Sequence, residues 1–527
     1  MSQDWLTPHR GAPRPVRPVS PGDTAVVTGG ASGIGLGIAE ALLDRGLNVV
    51  IADVRGDHLE HAGDRLRHHG ARLQAQRLDV SDPEQWRRVA QVVVERFGGI
   101  DLLCLNAGIG VLGTILRSSR ADWHWLLGVN LAGVTNGVEA VLPAMRARGS
   151  GGRILATSSA GGLVVAPDGG VYSASKFGVV ALMDCLRAEL APDGIGVTTL
   201  YPAGVNTNIH DHETMRPPAF ADSGVRGNDE ELHQQQEAAR RVLARAADPA
   251  DVGRRVLAAL DRSASHVFTD GGIRSVLELR RDALRRAAAP STHRMSLRER
   301  QRILVAEPDG PTAVPRLLRD LGHAAEVLDV IAIDGEADDP ARLSAARQDA
   351  SSVVVALDSF AEGGIAAVDW VEQVHERVQR CFTTLRGLVP QLVERPEGGR
   401  VAIVLPVSAL SADPGRCADS VSGRTVLGLA EGLRAELLGG GVLVSVVLAG
   451  DDEPDDALAD RIDRAVADGP MYSLPPSFTS ARIDEIFAPW LDELSRTISD
   501  VALPPLGPQG EVYREAAAGQ QLAEKKH

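Results

Sequence analysis

The chain has 527 residues, of which 44% are apolar and 24% charged, with a formal net charge of −15. That length exceeds one ordinary hydrophobic core, so two or three domains are expected. The acidic balance argues against nucleic acid and against anionic membrane surfaces as partners. No unbroken apolar run reaches the roughly 18–20 residues of a membrane span.

Residues 1–21, rich in Pro and Arg, lack the apolar core of a signal peptide and read as a mobile leader. The cysteines, Cys104, Cys185, Cys381 and Cys417, form no CxxC pair, so neither a disulfide framework nor a zinc ribbon is indicated, and a reducing cytoplasm fits. His210-Asp211-His212 is a histidine cluster without further ligands at useful spacing, so it reads as a polar loop and no metal is expected.

From Thr24 onward, short apolar runs alternate with amphipathic stretches. TAVVTGG, NVVIADV, ARLQAQRLDV, IDLLCLNAG, GRILATSS, IGVTTLYPAG and HVFTDGG have strand length and turn-rich ends. Helical segments such as GLGIAEALLDRG and PEQWRRVAQVVVERFGG lie between them. This alternation predicts an α/β domain with a doubly wound parallel sheet over residues 22–287. A linker at 288–300 follows. The alternation restarts at RILVAEP, giving a second α/β domain over 301–505, and a loosely held tail covers 506–527.

The first predicted strand ends in Thr28-Gly29-Gly30-Ala31-Ser32-Gly33-Ile34-Gly35, a TGxxxGxG pattern followed by a helix. Glycines let the backbone turn sharply and approach a pyrophosphate, toward which the free N–H groups of the next helix point. Asp53 ends the second strand, where a carboxylate accepts both adenosine ribose hydroxyls and repels a 2′-phosphate. NAD is favoured over NADP, with Arg55 as the feature that keeps NADP open. Asp79-Val80 is expected to close the third strand near adenine. Asn106-Ala107-Gly108 closes the fourth, where small residues let backbone approach a cofactor. Tyr172 and Lys176 form YxxxK, which on a helix places phenol and ammonium on one face. Ser159 lies at the end of the fifth strand, Asn130 in a helix before it, and Pro202-Ala203-Gly204-Val205-Asn206-Thr207 after the sixth.

In order and spacing these residues resemble the short-chain dehydrogenase/reductase family over residues 22–285. Ala203 departs from the glycine usual at that place, with little expected consequence. The resemblance implies a Rossmann-type sheet and hydride transfer between NAD(P) and a secondary alcohol or ketone. It implies that Tyr172 is the general acid/base, that Ser159 holds the reacting oxygen, and that Lys176 binds the nicotinamide ribose. Asn130 would support a water leading from Lys176 to solvent, and Val205 and Thr207 would hold the carboxamide. Met215, Pro217, Pro218 and Phe220 fall in the family's substrate-lid region. Epimerisation or dehydration with bound NAD, and a non-catalytic cofactor-sensing scaffold, are the alternatives.

Shifted by 247 positions, Asp122–Gly204 overlays the second half without a gap, with roughly twenty identities over some eighty positions. In that register Asn130 becomes Arg377, Ser159 becomes Pro406, Tyr172 becomes Asp419 and Lys176 becomes Gly423. The glycine turn becomes Val305-Ala306-Glu307-Pro308-Asp309-Gly310. The second half therefore reads as a degenerate copy, a second Rossmann-type sheet in tandem that has lost its site. The stretches that hold register, 122–148 with 369–395 and 171–191 with 418–438, correspond to the family's subunit-pairing helices. They point to an internal pseudo-dimer, which leaves further dimerisation of the whole chain open.

Overall fold

The computed structural model describes residues 11–288, 302–307, 326–332, 352–357 and 370–500, apart from 112, 166–167, 227, 414, 438–439, 451–452 and 469. The first ten residues, most of the linker, the tail and Pro308 of the second turn lie outside the described residues. Strands β1 (Thr24–Thr28), β2 (Asn48–Asp53), β3 (Leu73–Arg77), β4 (Leu102–Leu105), β5 (Gly152–Thr157), β6 (Ile195–Tyr201) and β7 (His266–Phe268) form one parallel sheet in the order 3-2-1-4-5-6-7. The inner strands are near-continuous apolar runs because helices cover both faces. These helices are α1 (Gly33–Asp44), α2 (Gly56–Leu66), α3 (Pro83–Phe97), α4 (Arg120–Leu127), α5 (Gly133–Arg148), α6 (Gly170–Leu190), α7 (Asp229–Leu243), α8 (Pro249–Asp261) and α9 (Ile273–Ala288). Their ends follow local chemistry. Asp82 caps α3 by accepting from the Glu84 and Gln85 amides, Pro83 occupies its first turn, and Gly98 ends it at φ 82°.

The second sheet, also parallel, runs β9-β8-β10-β11-β12-β13, from β8 (Arg302–Glu307), β9 (Glu326–Ala332), β10 (Ser352–Ala356), β11 (Gly399–Pro406), β12 (Val442–Ala449) and β13 (Tyr472–Ser473). This is the order of the first sheet without a described counterpart of β3. The register repeats as well. Gly152 faces Ile195 in one sheet, and Gly399, 247 positions on, faces Val442 in the other. Helices α10 (Trp370–Glu394), α11 (Cys417–Leu437), α12 (Asp455–Asp468) and α13 (Ser480–Asp500) accompany it.

Three boundaries differ from expectation. The leader is held from Arg14 on. The Arg14 amide donates to the Ala191 carbonyl, Arg17 pairs with Asp23 and Asp101 at 2.9 and 2.6 Å, and Val19 is buried. Strand β3 stops at Arg77, leaving Asp79 and Val80 beyond it, because Asp79 turns the chain by accepting from the Ser81 amide and hydroxyl. Helix α1 starts at Gly33, so the last residues of the glycine motif are its first turn.

The halves share one apolar core. Helix α6 packs along α11, and close approach needs glycine. A Cβ on Gly428 would stand 3.0 Å from the Ala174 Cα, and one on Gly432 would stand 2.9 Å from the Gly170 Cα. Trp123 of α4 meets Phe382 of α10 at 5.1 Å between ring centroids. Arg424 pairs with Asp184 at 2.9 Å and Arg280 with Glu431 at 2.7 Å, all four drawn from facing halves. The helical run Arg120–Arg148 has the length and composition of a membrane span, which the search for unbroken runs missed. It is a core element, with 67% of its most apolar stretch buried.

At the same interface His375 Nε2 lies 2.9 Å from His124 Nδ1. Burial pushes His375 down to about 4, with His124 and Arg120 adding to the effect, and moves His124 in the same direction. The folded state thus refuses a proton that an unfolded histidine takes near 6.5, so this pair makes stability rise with pH between about 4 and 6.5. Urea unfolding of His375→Gln should show a flatter profile across that window. A slope equal to wild type would contradict the assignment.

Candidate active site

The cofactor cradle is built by sterics. Gly29 has φ 60°, and a Cβ there would lie 3.0 Å from the Ala107 Cα. One on Gly35 would lie 2.1 Å from the Gly29 carbonyl oxygen. Only bare backbone closes this turn onto the β4 loop. Thr28 Oγ1 ties the two together by accepting from the Asn106 and Ala107 amides at 2.9 and 3.1 Å, and Asn106 Nδ2 donates to the Thr28 carbonyl. Ser32 caps the space from the other side, with its hydroxyl 3.2 Å from Asn208 Oδ1, while Ile34 packs partly buried beneath. Asp53 stands at the end of β2, largely buried, and accepts from the Arg55 and Ala31 amides. Burial raises its carboxyl above the ordinary value while those amides pull it down. Arg55 donates to both carboxylate oxygens of its neighbour Asp57 through Nε and Nη2, one edge of the guanidinium. A glycine-walled turn at a helix N-terminus, with a carboxylate at the next strand end, fits a dinucleotide. Gly204, Val205 and Thr207 close the cradle after β6. A Cβ on Gly33 would touch the Thr207 methyl at 2.9 Å, and Val205 is buried and bridged to Ala247.

The four expected catalytic positions come together at the C-terminal edge of β5. Ser159 Oγ accepts from the Gly161 amide at 3.0 Å and lies 3.5 Å from the Pro202 carbonyl. The Ser159 hydroxyl faces the Tyr172 phenol and pulls its acidity upward. Lys176, one helical turn on, lies with Nζ 5.7 Å from the Tyr172 ring centre and donates to the Thr157 carbonyl at 3.1 Å. Burial pushes the phenol above its ordinary range, against the pull of Ser159. Burial also lowers the Lys176 ammonium to about 8. Asn130 sits in a π-helical turn, Gly128–Ala132, between α4 and α5. Its amide spans the Ile109 peptide, accepting from N–H at 2.9 Å and donating to C=O at 3.0 Å, and also reaches Ser175 Oγ. Gly108 lies between Asn130 and Lys176, each 3.2 Å from where its Cβ would be.

The expected lid region follows as two short turns, Ile209–Met215 and Pro218–Phe220, with Met215 and Phe220 packed on the core. Its anchor is a buried charge cluster that sequence reasoning missed. Asp122 is 0% exposed, closes a capping box with Ser119, and binds Ser223 Oγ, the Gly224 amide and Arg216. Arg216 also pairs with Glu213 and lies over the Trp125 ring at 4.5 Å.

The comparisons with known proteins agree with this geometry. A family model described as short chain dehydrogenase matches residues 23–216. The C alpha-dehydrogenase of Sphingobium is 36% identical over 209 residues, which are 40% of this chain and 68% of that protein. The chain belongs to the short-chain dehydrogenase family. Another relative is the 3-alpha-(or 20-beta)-hydroxysteroid dehydrogenase of Mycobacterium bovis, 37% identical over 36% of this chain and 72% of that one. An uncharacterized NAD-dependent oxidoreductase of Mycobacterium tuberculosis is 33% identical over 37% and 75%. Among solved structures, a Burkholderia phymatum short-chain dehydrogenase in complex with NAD has 34% identity and a TM-score of 0.48, covering 53% of this chain and 99% of that one.

The positions 247 residues beyond the four expected catalytic residues hold other side chains. Arg377, at the place of Asn130, pairs with Asp419, at the place of Tyr172, at 3.2 Å, and Arg416 pairs with the same carboxylate. Arg377 also reaches Ser422 Oγ, as Asn130 reaches Ser175. Gly423, at the place of Lys176, packs on Ala409, and Pro406 stands where Ser159 stands. Glu307 ends β8, where Thr28 and the glycine turn end and follow β1.

Proposed function

We propose that the chain is an NAD-dependent oxidoreductase interconverting a secondary alcohol and a ketone at Tyr172. The observation that carries this reading is the meeting of Ser159, Tyr172 and Lys176 at the end of β5 beside the glycine cradle. A bound nicotinamide supplies the hydride-transfer chemistry. Tyr172 gives its phenolic proton to a carbonyl oxygen in the reductive direction, and in the oxidative direction its phenolate takes the proton from the alcohol. Ser159, itself fixed by the Gly161 amide, holds that oxygen at the phenol. Lys176 is available to the ribose, and Asn130 sets the Ile109 peptide and, through Gly108, the wall beside Lys176. The relatives named as hydroxysteroid and NAD-dependent enzymes favour the same reading.

The choice of NAD rests on Asp53 and on Arg55 being engaged by Asp57. Asp53→Ala should weaken NAD⁺ binding by about tenfold or more, the value of a lost hydrogen bond to a charged group, and narrow the gap to NADP⁺. Titrations of both nucleotides check this, and a wild type that already prefers NADP⁺ would sink it. For the reaction itself, the test is absorbance in the reduced-nicotinamide band after mixing enzyme and NAD⁺ with 1-phenylethanol or a 3α-hydroxysteroid. Steady growth is expected. A change limited to tightly bound nucleotide would instead favour epimerisation or dehydration.

The second half, in the same reading, is a degenerate copy docked as a sister subunit would dock. Its support is the shared strand order and register, the ion pair at the lost tetrad, and the α6–α11 contact, where equivalent positions Gly178 and Thr425 face each other. A cytoplasmic setting belongs to this proposal, supported by four buried cysteines that form no disulfide.

A further inference from the structure

Helix α11 of the second half reaches the rim of the first half's site. Near its C-terminal end, Glu436 Oε1 accepts from the Ile115 amide at 2.6 Å, across 321 positions of sequence, and the Leu116 amide also faces it. Ile115 opens a short turn, Ile115–Arg117, within the segment that leads from β4 to α4. That segment supports the lid. Gly113 lies against Val225, Gly224 lies against the Arg117 carbonyl, and Ser119 Oγ donates to the Asp222 carbonyl at 2.5 Å. It also touches the start of the Tyr172 helix. Gly113 donates to the Asp168 carbonyl at 2.8 Å, and the Ile115 side chain fills the slot between Gly170 and Gly432.

The carboxyl is held there at a cost. Burial and the facing Asp168 push it up to about 7, and its second oxygen is buried without a hydrogen-bond partner. Glu189, 247 positions earlier, faces the Gly415 amide of the second half, whose counterpart by the same offset is Asp168 rather than Ile115, so the Glu436 contact is not a copy of it.

We propose that Glu436 is a positioning residue for substrate: through it the second half fixes the Gly113–Ser119 segment on which the lid closes. The proposal rests on Tyr172 marking the working site. It is tested in the full chain by Glu436→Ala and Glu436→Gln, read by hydrogen exchange at the Ile115 and Leu116 amides and by kinetics with NAD⁺ and 1-phenylethanol or a 3α-hydroxysteroid. In Glu436→Ala those amides should lose protection by about two- to tenfold and KM should rise by a similar factor, as for one lost hydrogen bond. Turnover and NAD⁺ affinity should stay within about twofold. Glu436→Gln keeps an acceptor oxygen and should restore both readouts. Unchanged protection and KM in the alanine variant would overturn the proposal, and so would equal loss of protection throughout the first half. If wild type turns over no alcohol or ketone, the functional reading fails, while the exchange readout still decides whether Glu436 holds the segment.

Discussion

Tyr172→Phe should bind NAD(H) within a few-fold of wild type and turn over roughly two to four orders of magnitude more slowly, the range for loss of acid–base catalysis. The ring packs against the core and keeps its place when only the hydroxyl is removed. Only the hydroxyl facing Ser159 is lost, a change of ~1 kcal/mol at most that a fold of this size absorbs. No neighbour replaces the proton donor. Ser159 carries no readily ionised group, and Lys176 lies beside the face of the Tyr172 ring, 5.7 Å from its centre, and donates to the Thr157 carbonyl. Stopped-flow or steady-state rates alongside nucleotide titration separate chemistry from binding. Turnover within tenfold of wild type would remove Tyr172 from the mechanism.

Asp419→Ala, at the equivalent place in the second half, should do the reverse. Asp419 is 1% exposed and shared by Arg377 and Arg416. Removing one partner of a buried pair costs about 3–5 kcal/mol, because the remaining charge stays in a low-dielectric setting. Arg377, in α10, and Asp419, in α11, are on helices that also hold the first half, so the loss should appear in unfolding of the whole chain. Turnover per folded molecule should remain within about twofold. Urea unfolding and rates measured on the same preparation check both parts. A variant of normal stability without activity would assign Asp419 to catalysis.

Much of the first site could be read from sequence because its chemistry is local. The turn after β1 needs bare backbone, and the i, i+4 spacing of Tyr172 and Lys176 fixes their common face. The proposed tandem arrangement starts from the one uninterrupted offset of Asp122–Gly204, which the register of β11 and β12 matches. The contacts that escaped join distant residues through no spacing rule. Asp122 meets Ser223 and Gly224 across about a hundred positions, and Glu436 meets Ile115 across 321. The leader misled through composition. Pro and Arg suggest solvent, yet Arg17 docks on Asp101 and carries Val19 into the core. The π-turn at Asn130 leaves no mark in the hydrophobic period, since it adds one residue to a continuous helical run.

One working site and one converted site per chain is the central claim. Calorimetric titration of the intact chain with NADH tests it most directly. The account predicts one nucleotide bound per chain, lost in Gly35→Ala, where the added methyl meets the Gly29 carbonyl, and retained in Asp419→Ala. Two nucleotides per chain, or one that survives Gly35→Ala, would contradict it.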